Sequence, residues 1–322
     1  MGSDGGYTWD MRLAALTLVV VACGVPKGDA AGTAGTESAA AREAASPPVM
    51  TKAPGAGSVV DRPTEANPAA TPTMAEGAPP PGIACLREAY GDAIDSVVSE
   101  GTHYTVVLKD GARLVWDDGK AKTFEEKLAS PDLEDQLSLA YPAGPLSAPP
   151  TENDDPGRIR VDAFFRSIYG ADRQQVKTRL ITVPWLPKRA GKSVRFNRAN
   201  NAAHQLSMVS AKLDDRLSAS LLRYVDKPAG TFNWRTIAGT DRLSAHAFGI
   251  AIDINVKHSN YWRWEKPLDL IYKNQIPFDI VDVFEKHGFI WGGKWYHFDT
   301  MHFEYRPELL VSGCRRPTTP SS

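Results

Sequence analysis

Two short segments carry the residues best suited to chemistry. One is Ser244-Ala245-His246-Ala247-Phe248-Gly249-Ile250-Ala251-Ile252-Asp253, and the other is Asp299-Thr300-Met301-His302-Phe303-Glu304. Together they supply two histidines and a choice of carboxylates. A catalytic zinc site needs such a set: three nitrogen or oxygen ligands, a fourth position left for water, and a base nearby.

The local pattern indicates how these groups could meet. From Gly249 to Asn255, Ile250, Ile252 and Ile254 alternate with Ala251, Asp253 and Asn255. That predicts a strand with one apolar face. Asp253 then lies on the other face beside small residues, where a carboxylate is costly unless it binds something. His246 precedes the strand across a turn and can fold back toward Asp253. His302 lies in a Trp- and Tyr-rich region, with Asp299 three residues earlier. A turn between them would let Asp299 face the fourth metal position. Glu304 shares a strand face with His302 and is either a rival base or the group that orients the ring. Spacing alone leaves these two carboxylates undecided. His297 competes for contact with metal or substrate, and Trp295 is a candidate cleft wall. Gly292-Gly293-Lys294 lacks the spacing of a phosphate loop.

The elements that must position these groups are partly visible. Val161, Phe164, Phe165 and Ile168 follow helical spacing, with Gly170 as a stop. Thr182 to Pro187 reads as extended, and Leu206, Val209, Leu213 and Leu217 mark a helix face. Pro277 opens a helix carrying Ile280, Val281 and Phe284, with Gly288 as its cap. Phe289-Ile290-Trp291 and His302-Phe303-Glu304-Tyr305 read as strands. Farther upstream, Lys109-Asp110-Gly111 between β-formers signals a hairpin.

The pattern Ser244-x-His246-x-x-Gly249-x-Ala251-x-Asp253, followed by Asp299-x-x-His302, resembles the zinc-dependent D-alanyl-D-alanine carboxypeptidase family, which includes VanY- and VanX-type peptidases. The likeness extends over about 195 to 310, with Trp291-Gly292-Gly293-Lys294-Trp295 and Arg306-Pro307-Glu308-Leu309. It implies an α+β fold, a small antiparallel sheet with flanking helices of the Hedgehog/DD-peptidase kind. It implies zinc ligation by His246, Asp253 and His302 and places the base at Asp299, leaving Glu304 as a supporting group. Ser244 would contact substrate or position the histidine loop. The family also uses an upstream arginine to polarise the substrate carbonyl. Arg235 is the candidate, with Arg195, Arg198 and Arg242 as alternatives. The implied activity is hydrolysis of an amide bond in the peptidoglycan stem peptide. The alternative from another class is an envelope lipoprotein that binds peptidoglycan without cleaving it.

The rest of the chain fits an exported protein. Met11-Arg12 precede an apolar run from Leu13 to Ala22, too short to span a bilayer but suited to a secretory signal. Val20-Val21-Ala22-Cys23 resembles the lipobox of bacterial lipoproteins, which implies lipidation at Cys23 and anchoring in the bacterial cell envelope. Residues 24–82, rich in Ala, Gly, Pro, Thr and Ser, read as a disordered tether. Residues 83–150 read as a small α+β lead-in, 151–314 as the zinc peptidase domain, and 315–322 as a tail. Cys85 and Cys314 remain for one disulfide in an oxidising compartment. With 37 basic and 38 acidic residues in 322, no global basic bias points to nucleic acid.

Overall fold

A computed structural model describes residues 78–237, 240–265 and 270–312. Cys23, the signal and nearly all of the tether fall outside the described residues, as do Cys314 and the tail. No helix among the described residues is long and apolar enough to cross a membrane.

The described chain is α+β, with small antiparallel sheets and short helices. It begins with α1 (Pro81–Tyr90), followed by β1 (Ile94–Glu100), β2 (His103–Leu108) and β3 (Arg113–Val115), which form one antiparallel sheet in that order. The predicted hairpin is the β2–β3 pair. β1 carries no apolar alternation in the sequence, because Asp95, Ser96, Ser99 and Glu100 break up its apolar residues. Two short helices, α2 (Phe124–Ala129) and α3 (Leu133–Gln136), each start at a capping box, from Thr123 and Asp132.

Next come α4 (Asp162–Tyr169), α5 (Arg173–Arg179) and a β4–β5 hairpin (Leu180–Trp185 and Lys192–Asn197). α6 (Ala202–Arg216) lies against β4 and buries Leu206, Val209 and Leu213, as its periodicity predicts. The third sheet has the order β6-β8-β7 and is antiparallel throughout: β6 (Ala251–Asp253), β8 (His302–Tyr305) and β7 (Phe289–Trp291). α7 (Phe278–Glu285) precedes β7. Gly288 links them at φ 83°, and a side chain there would meet the Tyr305 ring at 2.8 Å.

This third sheet positions the site. Its register sets Ile252 opposite Phe303 and Asp253 opposite His302. Directly opposed residues point to the same face. Phe303 therefore turns to the core, where Phe284 of α7 stacks on it at 3.8 Å, while Asp253 and His302 share the other face. The expected strand from Gly249 to Asn255 is shorter than its alternation implies. At its start, Gly249 is drawn into a turn; at its end, Asn255 N–H leaves the sheet to reach Tyr224 O at 3.0 Å. Ala251 is as fully buried as its neighbours Ile250 and Ile252, because the site side is itself covered.

Residues ahead of 151 contribute to the same hydrophobic core. Ile83, Leu86, Tyr90 and Leu133 cluster with Phe164, Phe165 and Phe303. Buried Lys294 is tied by Pro142 O and Gly144 O and by Glu285 of α7, which fastens the Pro-rich segment. Replacing Phe284 by Ala should cost about 3–5 kcal/mol, as expected when a buried aromatic leaves a cavity. Urea unfolding of the metal-free protein measures this, and a loss below about 1 kcal/mol would mean the stack is not central to the core.

Candidate metal centre

His246 sits in a turn built for it. Ser244 caps a short 3-10 turn, Ala245–Phe248, its hydroxyl accepting from His246 N–H at 3.3 Å. Gly249 closes the turn at φ 66°, and a side chain there would meet Leu180 at 2.6 Å. Asn197 of β5 donates its side-chain amide to Phe248 O and Tyr169 O, both at 2.9 Å, clamping the turn to the core.

Both rings are oriented from outside. His246 Nδ1 lies 2.8 Å from Thr231 O. A carbonyl only accepts, so Nδ1 carries the proton and Nε2 presents its lone pair. His302 Nε2 lies 3.1 Å from Glu304 Oε2, which leaves Nδ1 facing inward. Carbonyl and carboxylate partners of this kind fix the tautomer and orientation of metal-binding histidines.

The three inward atoms form a nearly equilateral triangle. His246 Nε2 is 3.2 Å from Asp253 Oδ1 and 3.2 Å from His302 Nδ1, and the remaining edge is 3.1 Å. A tetrahedral zinc ion with nitrogen and oxygen ligands at about 2.0–2.1 Å separates those ligands by about 3.3 Å. The donor types, their spacing and their outer partners thus fit a zinc ion with one position open to the cavity.

Burial opposes charge on His302, but hydrogen bonds to Asp253 and Glu304 outweigh it and raise its pKa to about 10. Burial likewise opposes charge on Asp253, yet the two histidines hold its carboxyl far below the usual range. Glu304 is buried too. Arg160, His302 and Arg306 nevertheless keep it ionised well below an ordinary glutamate.

Asp299 is placed differently. His302 N–H donates to Asp299 O at 3.1 Å, forming the turn expected between them. Its Oδ1 is buried without a hydrogen-bond partner. Burial raises its pKa, and the nearby charge of Asp253 adds to this against the pull of His302 and His246, bringing it to about 6. A carboxylate near that value can take and return protons at neutral pH.

All these groups open onto one cavity of about 120 Å³. Arg235 lines it with an exposed side chain. Trp295 also lines it, its ring 5.5 Å from that of His302. Ser244 and His297 lie on the wall, but His297 is not part of the triangle. Of the alternative arginines, Arg195 lines a separate pocket, and Arg242 is held by a bond to Arg158 O at 2.8 Å. Arg198 is exposed and does not line the cavity.

Sequence reasoning missed Arg158, Arg160 and Arg263, which also line the cavity. Arg158 lies over Trp295 at 5.6 Å, and Arg160 bonds Leu243 O and Glu304. No spacing motif surrounds these residues in the sequence.

Zinc binding at pH 7 should displace about one proton, because His302 is protonated up to about 10 in the metal-free protein. Titration calorimetry in buffers of different ionisation enthalpy measures it; zero release would contradict this site. The same shift has a linked effect on the metal-free fold. Its contribution is complete below the unfolded histidine pKa of about 6.5. It declines as pH rises through about 10. Glu304→Gln should weaken zinc about 10–100-fold in chelator competition, as loss of an orienting partner does.

No curated protein and no solved structure matches the chain. The segment 238–305, which contains His246, Asp253, Asp299, His302 and Glu304, matches the model of the D-alanyl-D-alanine carboxypeptidase family, the one its two motifs resemble.

Proposed function

We propose that this chain is a zinc-dependent peptidase that hydrolyses an amide bond in the peptidoglycan stem peptide. The observation that carries the reading is the triangle of His246, Asp253 and His302 donor atoms sharing a cavity with an unpartnered, buried oxygen of Asp299. Zinc held there would supply Lewis acidity and make hydroxide available near pH 7.

The chain's own residues do the remaining work. Asp299 takes the proton of the attacking water and passes it toward the departing amine. Arg235 polarises the scissile carbonyl from the cavity wall, and Arg158 on the same cavity is a second cation within the site. Ser244 keeps the histidine turn in place through its cap. Trp295 and Trp262 form apolar parts of the wall and limit water access. Glu304 holds the His302 ring without touching substrate.

Location follows from the segment ahead of the described residues. The lipobox-like run ending at Cys23 supports export and anchoring at the cell envelope, where stem peptides are at hand. The same compartment supports a Cys85–Cys314 bridge.

Zinc-loaded protein should release D-alanine or a short peptide from purified muropeptides, read by mass spectrometry. Asp299→Asn should keep its zinc and lose at least about 10²-fold in rate. Arg235→Ala should lose about 10²–10³-fold, as removal of one oxyanion donor does. Full hydrolysis by the Asp299 variant would overturn the mechanism, and intact muropeptides with the wild-type protein would overturn the activity.

A further inference from the structure

The free side of β5 carries hydrogen-bonding groups that the fold does not use. Opposite Ser193 in the β4–β5 hairpin stands Pro184, which has no N–H and whose C=O accepts from the Ser210 hydroxyl at 2.9 Å. That pair therefore exchanges no hydrogen bond across the hairpin. Pairing alternates along an antiparallel ladder, so Arg195, two residues on, also turns its main-chain groups away from β4. Asn197 keeps the alternation, its N–H reaching Gly249 O at 2.9 Å. Of the four outward groups of Ser193 and Arg195, Arg195 O is taken by the Thr231 hydroxyl at 2.7 Å. Ser193 N–H, Ser193 O and Arg195 N–H have no partner among the described residues.

These groups border an open pocket between β5 and the segment 227–232. Lys192, Arg195 and Lys227 line it, all exposed, and none forms an ion pair among the described residues. Arg195 makes only a 3.4 Å bond to Leu180 O. No carboxylate lines the pocket, and Asp226, beside Lys227, accepts from the Asn255 amide at 3.1 Å. None of the lining residues belongs to the catalytic cavity. Two of them nevertheless serve the metal centre: Gly230 O accepts from Asp253 N–H at 2.9 Å, and Thr231 O holds His246.

The three cations would attract any anion, but the main-chain groups discriminate. A phosphate would meet Ser193 O, an acceptor with nothing to accept from it. An extended peptide satisfies all three groups. One of its residues exchanges two hydrogen bonds with Ser193, and a carbonyl two residues away accepts from Arg195 N–H. Lys192 and Arg195 stand on opposite faces of β5, so both faces of an added strand meet positive charge. The same charges deter basic chains from the open edge.

We propose that this edge is a docking site for an extended acidic peptide, added to β5 as a third strand beside the metal centre. The site is separate from the amide hydrolysis argued above, and its test needs no activity.

The full chain is titrated with a capped peptide, Glu-Thr-Glu-Thr-Glu, by calorimetry, and amide exchange is followed by NMR. Binding should saturate and slow exchange at Ser193 N–H and Arg195 N–H, whereas Lys-Thr-Lys-Thr-Lys should not bind. N-methylating the backbone amides of the acidic peptide should weaken it at least about 10-fold, because Ser193 O then has no donor. Reversing two exposed charges, Arg195→Glu with Lys227→Glu, should weaken it at least about 10-fold. Ser193→Pro removes the outward N–H where an edge strand tolerates proline, and should weaken binding likewise. If that variant does not fold, the N-methylated peptide decides with the protein unaltered. Equal binding of the N-methylated peptide would reduce the site to attraction by charge and overturn strand addition. Absence of saturable binding would overturn the proposal outright. So would exchange at Ser193 and Arg195 already slowed before peptide is added, since the chain would then fill its own edge.

Discussion

The structure depends on one buried carboxylate. Glu304 is almost wholly enclosed, and its two oxygens are divided between two tasks. Oε2 meets His302 at 3.1 Å and Arg160 at 3.4 Å, while Oε1 accepts from Arg306 at 3.1 Å. A charge so deep is tolerated only when paired and hydrogen-bonded. Arg306 is in turn bound to Glu308 at 2.6 Å, and Tyr90 of α1 donates to Glu308 at 2.6 Å. A continuous polar chain therefore runs from the first helix to a candidate metal ligand. Removing Arg306 would take from Glu308 its ion-pair partner and from Glu304 one of three partners, in an apolar interior, so ring orientation and fold stability are not separable here.

The sheet register adds a second constraint of a simpler kind. Asp253 faces His302 because β6 pairs with β8 in that register and no other. Slipping the pairing by one residue would turn Asp253 toward Phe284 and the core. The Phe303–Phe284 stack and the burial of Ile252 guard against that slip. Apolar packing on one face of the strands thus sets the donor geometry on the other.

Much of this was legible because the motifs are local. His246, Gly249 and Asp253 fall within one turn and one short strand, and Asp299 to Glu304 within another, so spacing carries geometry directly. Choosing between Asp299 and Glu304 was different. Nothing in their spacing separates them; only the family resemblance does. Their surroundings differ: two arginines and a histidine surround Glu304, whereas Oδ1 of Asp299 is buried without a partner. Arg158 and Arg160 were illegible for another reason. They belong to an irregular segment more than 80 residues from the first motif, and only chain folding brings them to the cavity. β1 is illegible because polar residues interrupt its alternation.

The polar chain from Tyr90 also bears on where a catalytic fragment can be cut. The matched residues end at Tyr305, and the metal-facing groups all lie within them. Yet Tyr90 also packs edge-on against Phe164 at 5.0 Å, deep in the shared core. A chain begun at residue 151 would keep every candidate ligand and yet uncover the Phe164 ring, while Glu308 would lose its phenolic partner. The smallest piece that carries the chemistry is therefore smaller than the smallest piece that can hold its shape.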